Sequence, residues 1–137
     1  MQYSRQIMLP QIDVLGQEKL LAAKVLVLGA GGLGCPVLMY LAGSGIGNIT
    51  VIDPDQVDVS NLHRQILFQQ HDIGASKATI AARQVSAINR DCQVTAIASL
   101  PIEPDLYDLI CAADLVIEGT DNFASRYQHN KLCIRAG

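Results

Sequence analysis

The segment over residues 24–53 constrains the fold of this chain more than any other, because it combines a strand, a glycine-rich turn, a helix and a second strand. Residues 25–28 form a continuous run of branched apolar residues, which is typical of a strand covered on both faces of a parallel sheet. Glycines follow as Gly29, Gly31 and Gly34, in the spacing G-x-G-x-x-G, and apolar residues then recur at helical intervals. The segment therefore predicts a βαβ unit in an α/β protein.

Each glycine has a separate predicted role in this turn. Gly29 permits a tight turn, Gly31 lets the backbone approach a phosphate, and Gly34 lets the helix pack closely on the strand. Pro36 is tolerated only in the first turn of a helix, so we expect the helix to start near Gly32. The free amide groups of that helix would then surround Gly31 and Gly32 and form a site for an anion.

An acidic residue ends the second strand of this unit. Asp53 follows Gly34 by about twenty residues, the spacing at which a carboxylate accepts hydrogen bonds from ribose hydroxyl groups. The pattern predicts a bound nucleotide, and the alternative is an ordinary strand-to-helix turn in which Asp53 caps or solvates the sheet edge. An NAD-dependent dehydrogenase shares the glycine turn and the acid, so the identity of the nucleotide stays open at this point.

The composition of the 137 residues fits a single aliphatic α/β domain, since half of them are apolar and only 4% are aromatic. The net charge of −3 and the lack of a basic run argue against binding to duplex nucleic acid. No apolar stretch is long enough to cross a membrane, and the N-terminus lacks the apolar core of a signal peptide. We therefore expect a cytoplasmic protein without membrane association.

The cysteines are too scattered to predict a zinc site or a disulfide framework. Three of them are expected to be buried free thiols: Cys92, Cys111 and Cys133. Cys35 differs because a helix N-terminus favours a thiolate, and a packing role is the alternative for this residue.

The rest of the chain continues the alternation of helices and strands. Residues 1–23 are expected to form an N-terminal arm of two short helices broken at Pro10, and residues 24–137 a Rossmann-like ATP-binding domain. The arm offers apolar contacts through Ile12, Leu15, Leu20 and Leu21. Beyond the βαβ unit, the patterns predict a helix over residues 76–89, a strand over 94–98, a helix over 103–111, a strand over 115–117 and a helix from residue 123 onward.

The predicted fold is a doubly wound, mainly parallel sheet with helices on both faces, in which the fourth strand lies beside the first. The sheet ends where the next crossover would deliver a fifth strand, which leaves the fourth strand with an unpaired edge. We therefore expect that the second half of the domain is absent and the chain is a piece of a longer protein, or that another chain covers this edge.

Polar loops follow the second and fourth strands, at the edge where this class of fold keeps its chemistry. Ser60 can cap one helical turn, which would place Asn61 and Arg64 on one face where they could reach a phosphate together. The alternative is a surface turn with an exposed arginine. Lys77 opens the next helix, where its charge opposes the helix dipole, so it is either paired with a phosphate or a snorkelling lysine.

Two carboxylates follow the fourth strand, beside the expected polyphosphate. Capping of the last helix by Asp121 or Asn122 would account for one residue, but not for Glu118 and Asp121 together. A hard cation such as Mg²⁺ would account for both carboxylates.

Five motifs make this chain resemble the ThiF/MoeB family, the bacterial relatives of ubiquitin-activating enzymes. They are YSRQI (3–7), GAGGLG (29–34), IDPDQVDVSNLHRQ (52–65), GASKA (74–78) and GTDN (119–122). The resemblance implies a homodimeric adenylyltransferase that uses ATP and Mg²⁺ to activate the C-terminal glycine carboxylate of a ubiquitin-like sulfur carrier, as in thiamin or molybdopterin biosynthesis. It also implies a second half that carries the groove for the carrier and the cysteine pairs of a zinc site, so that the 137 residues alone are not expected to turn over.

The resemblance further implies roles for individual residues. The implied catalytic residues are Arg5, Arg64, Lys77 and Asp121, with Arg5 reaching the ATP of the partner subunit and Asp121 binding Mg²⁺. The residues implied to bind ATP are Gly29, Gly31, Gly32, Gly34, Asp53, Asp55, Asn61, Arg64 and Lys77, with Asp53 on the ribose. Two positions depart from the family pattern: His63 replaces a usual glutamine, and Glu118 replaces a common aspartate.

The implied chemistry needs no general base. A C-terminal carboxylate has a pKa of about 3.5 and is ionised at neutral pH, so the reaction requires positioning and charge neutralisation instead. His63 is therefore not expected to be catalytic. An NAD-dependent dehydrogenase would have no use for Arg64, Lys77 and Asp121 together, and a nucleotide-binding module without turnover is a further alternative.

Overall fold

The computed structural model describes residues 2–137 and contains four strands and six helices over that range. The strands are β1 (Lys24–Leu28), β2 (Asn48–Ile52), β3 (Gln93–Ile97) and β4 (Leu115–Glu118). The helices are α1 (Ser4–Ile7), α2 (Asp13–Ala22), α3 (Gly34–Ser44), α4 (Lys77–Ile88), α5 (Glu103–Ala112) and α6 (Phe123–Ala136). Two short 3₁₀ turns, Val59–Asn61 and Gln70–Asp72, lie between β2 and α4. Each predicted helix and strand is present, with small differences at the ends.

The four strands form one parallel sheet in the order β3-β2-β1-β4. At the carboxyl edge, Leu28 at the end of β1 is in register with Ile52 of β2 and with Glu118 of β4. This order confirms the predicted Rossmann-like doubly wound topology, because the chain moves outward through β2 and β3 and then returns to the other side of β1. The loops that follow β1, β2 and β4 therefore start side by side.

Helices cover both faces of the sheet, as predicted. On one face, the buried side chains of Val25, Val27, Ile49 and Val51 pack against α3 and α4. On the other face, Leu26, Leu28 and Ile52 pack against α5 and α6, which contribute Leu106, Ile110 and Leu132. Alternate residues of β1 and β2 thus enter separate cores, which explains why their sequences read as continuous apolar runs.

The helix after the glycine turn begins slightly later than the sequence predicts. It starts at Gly34 rather than near Gly32, and its first hydrogen bond runs from the amide of Cys35 to the carbonyl of Gly31, at 2.9 Å. Pro36 lies in the first turn, as expected. Residues 31–33 therefore form an open turn whose amide groups are outside the helix.

The N-terminal arm is held by polar side chains together with part of the apolar contacts that the sequence suggests. Gln6 Nε2 donates to Gln17 Oε1 at 2.7 Å and to the carbonyl of Ser44 at 2.9 Å. Leu20 packs on the core, whereas Leu15 is 66% exposed. The reason is that α1 and α2 lie against the end of α3, where the last carbonyl groups of the helix need donors.

A second polar contact joins the arm to the end of α4. The buried Asn89 follows α4, and its Nδ2 donates to the hydroxyl of Tyr3 at 2.7 Å and to the carbonyl of Ala42 at 2.8 Å. The arm therefore lies at the edge of the sheet where the strands begin. This edge is opposite the glycine turn.

The cysteines are only partly as predicted. Cys92 is buried, and burial raises the pKa of its thiol to about 11. Cys111 is exposed and Cys133 is partly buried, so the prediction of burial was wrong for Cys111. Cys111 follows the buried Ile110 on α5 and therefore points away from the core.

No helix within residues 2–137 combines the length and the apolar character that a membrane-spanning helix requires.

Replacement of Asn89 by alanine is expected to destabilise the protein by about 1–3 kcal/mol, because the carbonyl of Ala42 and the hydroxyl of Tyr3 lose a buried donor. Urea denaturation measures this change. Tyr3→Phe is the matched control, since it keeps the bond to Ala42, and it should cost about 1 kcal/mol or less. An Asn89→Ala variant as stable as the wild type would contradict this account of how the arm is held.

Candidate functional site

Two glycines of the turn are required by the packing of the turn itself. Gly29 has a φ of +94°, and a Cβ atom on it would lie 2.9 Å from the carbonyl oxygen of Gly119. A Cβ atom on Gly34 would lie only 1.9 Å from the carbonyl oxygen of Gly29. The predicted steric roles of both residues, a tight turn and close packing of the helix on the strand, are confirmed.

The two middle glycines face a different environment. A Cβ atom on Gly31 would meet only the side chain of Gln65, at 3.7 Å, which is an ordinary contact. At Gly32 it would lie 3.0 Å from Nη1 of Arg64. Both glycines are partly exposed. The fold alone therefore does not require glycine at position 31.

Asp53 links the glycine turn to the loop after β2. Its carboxylate is 5% exposed and accepts hydrogen bonds from the amide of Ala30 and from the amide of Asp55, both at 2.8 Å. Asp53 is therefore not a solvated residue at the sheet edge. A carboxylate oxygen has two lone pairs, so each oxygen of Asp53 retains the capacity to accept one further hydrogen bond.

The 3₁₀ turn after β2 has a different cap from the one that the sequence predicts. Asp58 caps it by accepting from the amide and hydroxyl of Ser60, and these hydrogen bonds lower the pKa of the Asp58 carboxyl. The prediction that Ser60 is the cap was wrong, because Asp58 stands in the N-cap position and its side chain takes the Ser60 amide.

The predicted pairing of Asn61 with Arg64 does not depend on the identity of that cap. Arg64 Nη2 donates to Asn61 Oδ1 at 2.8 Å, so the two side chains do share one face. The same guanidinium group lies over Gly32. The loop after β2 therefore brings a positive charge to the glycine turn.

Lys77 is a buried cation at the start of α4. Its side chain is 7% exposed, and its Nζ lies 4.0 Å from a carboxylate oxygen of Asp55, whose side chain is 71% exposed. Its stem is therefore almost entirely out of water, and the carboxylate of Asp55 is its acidic partner among residues 2–137. One distant, solvated carboxylate also compensates poorly for the burial of a charge.

The structure decides between the two roles that the sequence left open for Cys35, a reactive thiolate and a packing residue. Cys35 is fully buried, and its Sγ donates to the carbonyl of Ala30 at 3.3 Å. Burial raises the pKa of this thiol, while Lys77, Asp53 and Arg64 exert smaller electrostatic effects on it. Cys35 is therefore a packing residue.

Glu118, at the end of β4, was predicted to bind a cation, but its carboxylate contacts other residues of the protein. One oxygen of the Glu118 carboxylate accepts from the amide of Thr120 at 2.8 Å and from its hydroxyl, and the other oxygen contacts Nδ1 of His129. Burial raises the pKa of Glu118, but these hydrogen bonds lower it by more, so the net shift is downward. The expectation that Glu118 binds a cation together with Asp121 is not supported, because the carboxylate is turned toward Thr120 and His129, and no group of three or more potential metal ligands is found within residues 2–137.

Asp121 remains exposed in this loop, and Asn122 caps α6 by accepting from the amide of Ser125 at 2.8 Å. Capping therefore accounts for Asn122 and not for Asp121. Within residues 2–137, no group of three or more histidine, cysteine, aspartate or glutamate side chains could hold a metal ion. A carboxylate such as Asp121 fits Mg²⁺ only in the manner usual for nucleotide sites, where one or two carboxylates act with phosphate oxygens.

Arg5 is the predicted site residue that the fold does not bring to the glycine turn. It is exposed on α1, and α1 contacts the carbonyl of Ser44 at the far end of α3. A helix of the length of α3, 11 residues, spans about 16 Å. His63 is exposed in the loop after β2.

One residue at the site was missed by the sequence analysis. Gln65 is 2% exposed, lies next to Gly31, and its Oε1 has no hydrogen-bond partner among residues 2–137. A glutamine in a polar loop carries no sequence signal of burial. Only the fold of the loop after β2 brings Gln65 next to Gly31.

The fold and the turn together define a Rossmann-like domain of the doubly wound class. Comparison with known proteins narrows the class: the chain belongs to the ThiF family, which it matches over residues 3–137.

Two curated relatives illustrate the match. The chain is 46% identical over 132 residues to a probable molybdopterin-synthase adenylyltransferase of Porphyra purpurea, covering 96% of this chain and 35% of the relative. It is 43% identical over 134 residues to the sulfur carrier protein ThiS adenylyltransferase of Escherichia coli, covering 98% of this chain and 53% of the relative. The chain thus spans between a third and about half of the length of these relatives.

A solved structure supports the same assignment. The tRNA N6-threonylcarbamoyladenosine dehydratase TcdA of E. coli, crystallised in complex with ATP, has a TM-score of 0.81 and 30% sequence identity with this chain. The match covers 87% of this chain and 49% of that protein.

Alanine substitutions at Gly34 and at Gly31 test whether packing requires the first glycine and a ligand requires the second. Gly34→Ala is expected to cost more than about 4 kcal/mol or to prevent folding, because its Cβ atom would overlap the Gly29 carbonyl. Gly31→Ala should stay within about 1 kcal/mol of the wild type in urea denaturation and should lose nucleotide affinity. Equal losses of stability in the two variants would contradict the assignment of Gly31 to a ligand.

Proposed function

We propose that the full-length protein is an adenylyltransferase that activates the C-terminal glycine carboxylate of a ubiquitin-like sulfur carrier, of the thiamin or molybdopterin type. The reaction consumes ATP, forms an acyl adenylate and releases pyrophosphate. The observation that carries this proposal is the position of Arg64 over Gly32 at the glycine turn, with a second cation, Lys77, buried beside Asp55 in the loop that follows β2. Membership of the ThiF family and the names of the two adenylyltransferase relatives support it.

The glycine turn binds phosphate groups in this proposal. Gly31 and Gly32 are partly exposed, and their amide groups precede the positive end of α3. Asp53 accepts hydrogen bonds from the ribose with the lone pairs that Ala30 and Asp55 leave free. Asp55 belongs to the same binding site in this proposal, because its carboxylate lies beside the ammonium group of Lys77.

The cations neutralise the charge that develops on the departing pyrophosphate. Lys77 gains a phosphate partner that its buried position otherwise lacks, and Arg64, which Asn61 orients, contacts the polyphosphate from the exposed side. The attacking carboxylate is already ionised at neutral pH, so no residue has to remove a proton. Asp121 is the residue that would hold Mg²⁺, which would supply further neutralisation of the phosphate charge.

Arg5 acts in this proposal on the ATP of a partner subunit. In its own subunit, Arg5 lies on α1, which packs at the opposite end of α3 from the glycine turn. Tyr3 and Gln6 anchor α1 on either side of Arg5 and leave its side chain exposed. A symmetric dimer lets such a residue complete the site of its neighbour, and each site would then contain residues of two subunits.

Complementation between two inactive variants tests this arrangement. Arg5→Ala and Arg64→Ala should each abolish carrier-dependent ATP–pyrophosphate exchange by the full-length protein. Co-expression of the two variants at equal levels should restore about a quarter of the wild-type exchange, because half of the dimers are mixed and each contains one intact composite site. Recovery occurs only if the arginines of one site come from different subunits.

Arg90→Ala is the matched control, because Arg90 is also an exposed arginine but follows α4 at the opposite edge of the sheet. This variant should exchange like the wild type. Failure of the mixed dimers to recover would refute the role of Arg5 across subunits, and carrier-dependent exchange by Arg64→Ala alone would refute the proposed site. A wild-type protein that binds ATP without exchange would be a nucleotide-binding module.

A further inference from the structure

The loop of residues 119–122 lies against the glycine turn on one side. The amide of Gly119 donates to the carbonyl of Leu28 at 2.7 Å, and a Cβ atom on Gly29 would lie 2.9 Å from the Gly119 carbonyl oxygen. There is no space between the two backbones for either to move toward the other. The position of this loop therefore decides where Asp121 lies relative to the turn.

The helix α6 holds the other side of the same loop. Arg126 donates from Nε and from Nη2 to the carbonyl of Thr120, at 2.9 Å and 2.6 Å. Asn122 caps the helix through the amide of Ser125. These contacts hold the carbonyl of Thr120 and the side chain of Asn122, the two neighbours of Asp121, and they leave the Asp121 side chain exposed.

Glu118 and His129 form the third contact between the loop and α6. His129 is 8% exposed and lies one helical turn before the buried Leu132, so it faces the sheet. Its Nδ1 contacts one oxygen of Glu118, while the other oxygen of Glu118 accepts from the Thr120 amide. His129 thus determines the rotation of the carboxylate that holds Thr120.

The histidine of this pair is buried, whereas the glutamate side chain is 27% exposed. Burial of an imidazole beside a carboxylate costs free energy that an apolar side chain of similar volume at position 129 would not cost. A polar pair does fix one geometry, since a carboxylate bound at both oxygens has a single orientation. The pair is thus better suited to holding the loop in place than to stabilising the core.

We infer that His129 is a positioning residue, which acts through Glu118 and Thr120 to hold Asp121 beside the glycine turn. His129 does not touch the ligand. The part of this inference that concerns Mg²⁺ and ATP rests on the proposed function, whereas the part that concerns the loop does not.

Three variants of α6 separate the hydrogen bond from the volume of the side chain. His129→Leu removes the donor and keeps an apolar group in the pocket. His129→Asn keeps a donor at the same number of bonds from the backbone as Nδ1 and so retains the contact with Glu118. Gln128→Leu, at the exposed neighbouring position, is the control for a new leucine on the same helix.

Amide hydrogen exchange at Thr120, measured by NMR without ligand, is the first readout. Exchange should be several-fold faster in His129→Leu and unchanged in His129→Asn and Gln128→Leu, because only the first variant releases Glu118. Calorimetric affinity for Mg·ATP is the second readout, and His129→Leu should lose roughly 10- to 100-fold, a range typical for the loss of an outer partner of a metal ligand.

Unchanged exchange at Thr120 in His129→Leu would overturn the inference, as would a His129→Asn variant with the same losses as His129→Leu. Faster exchange at Thr120 with unchanged Mg·ATP affinity would also overturn it, because the loop would then move without consequence for the site. If the wild type itself bound no Mg·ATP, the proposed function would fail, and the exchange at Thr120 would still report on the role of His129 in the loop.

Discussion

The close approach of Gly34 to the carbonyl of Gly29 is the constraint on which the rest of the site depends. A Cβ atom at position 34 would lie 1.9 Å from that oxygen, so α3 can start directly over the end of β1 only because residue 34 has no side chain. Two further contacts converge on the same point, since Asp53 binds the amide of Ala30 and the backbone of Gly119 packs on Gly29. The ends of β1, β2 and β4 are therefore fixed relative to one another, and the loops that follow them must meet above the turn.

Contacts within the protein explain the positions of some charged residues near the glycine turn more fully than those of others. Asp53 is buried and has two backbone partners, and Glu118 has partners at both oxygens, so local structure accounts for each of them. Lys77 is buried with one exposed carboxylate at 4.0 Å, and Arg64 is held over the glycine turn by Asn61. Local structure leaves Lys77 without a close acidic partner, whereas Arg64 is exposed and is hydrogen-bonded to Asn61. A polyphosphate at the turn would give both of them an anionic partner, and this is why we propose ATP as the ligand of the site.

Local patterns in the sequence were sufficient to predict the fold. The apolar runs, the glycine spacing and Pro36 act within a few residues, and they correctly predicted the strands, the helices and the steric roles of Gly29 and Gly34. The wrong or missing predictions are of two kinds. The first is the choice among neighbouring polar groups, since Asp58 and not Ser60 caps the 3₁₀ turn. The second is contacts between elements that are distant in sequence. The bond from Asn89 to Tyr3 and the contact of His129 with Glu118 join separate helices and loops, so no local pattern indicates them. Periodicity also gave no sign that Gln65 is buried beneath the turn.

The central claim is that the site at the glycine turn binds a triphosphate. Equilibrium urea denaturation with and without nucleotide tests this claim most directly. The account predicts that Mg·ATP at a hundredfold its dissociation constant adds about 2.7 kcal/mol to the free energy of unfolding of the wild type. It also predicts that NAD at the same concentration adds none, and that Arg64→Ala largely removes the gain from Mg·ATP. Stabilisation by NAD without stabilisation by Mg·ATP would contradict the account and would favour a dinucleotide-binding site of the dehydrogenase kind.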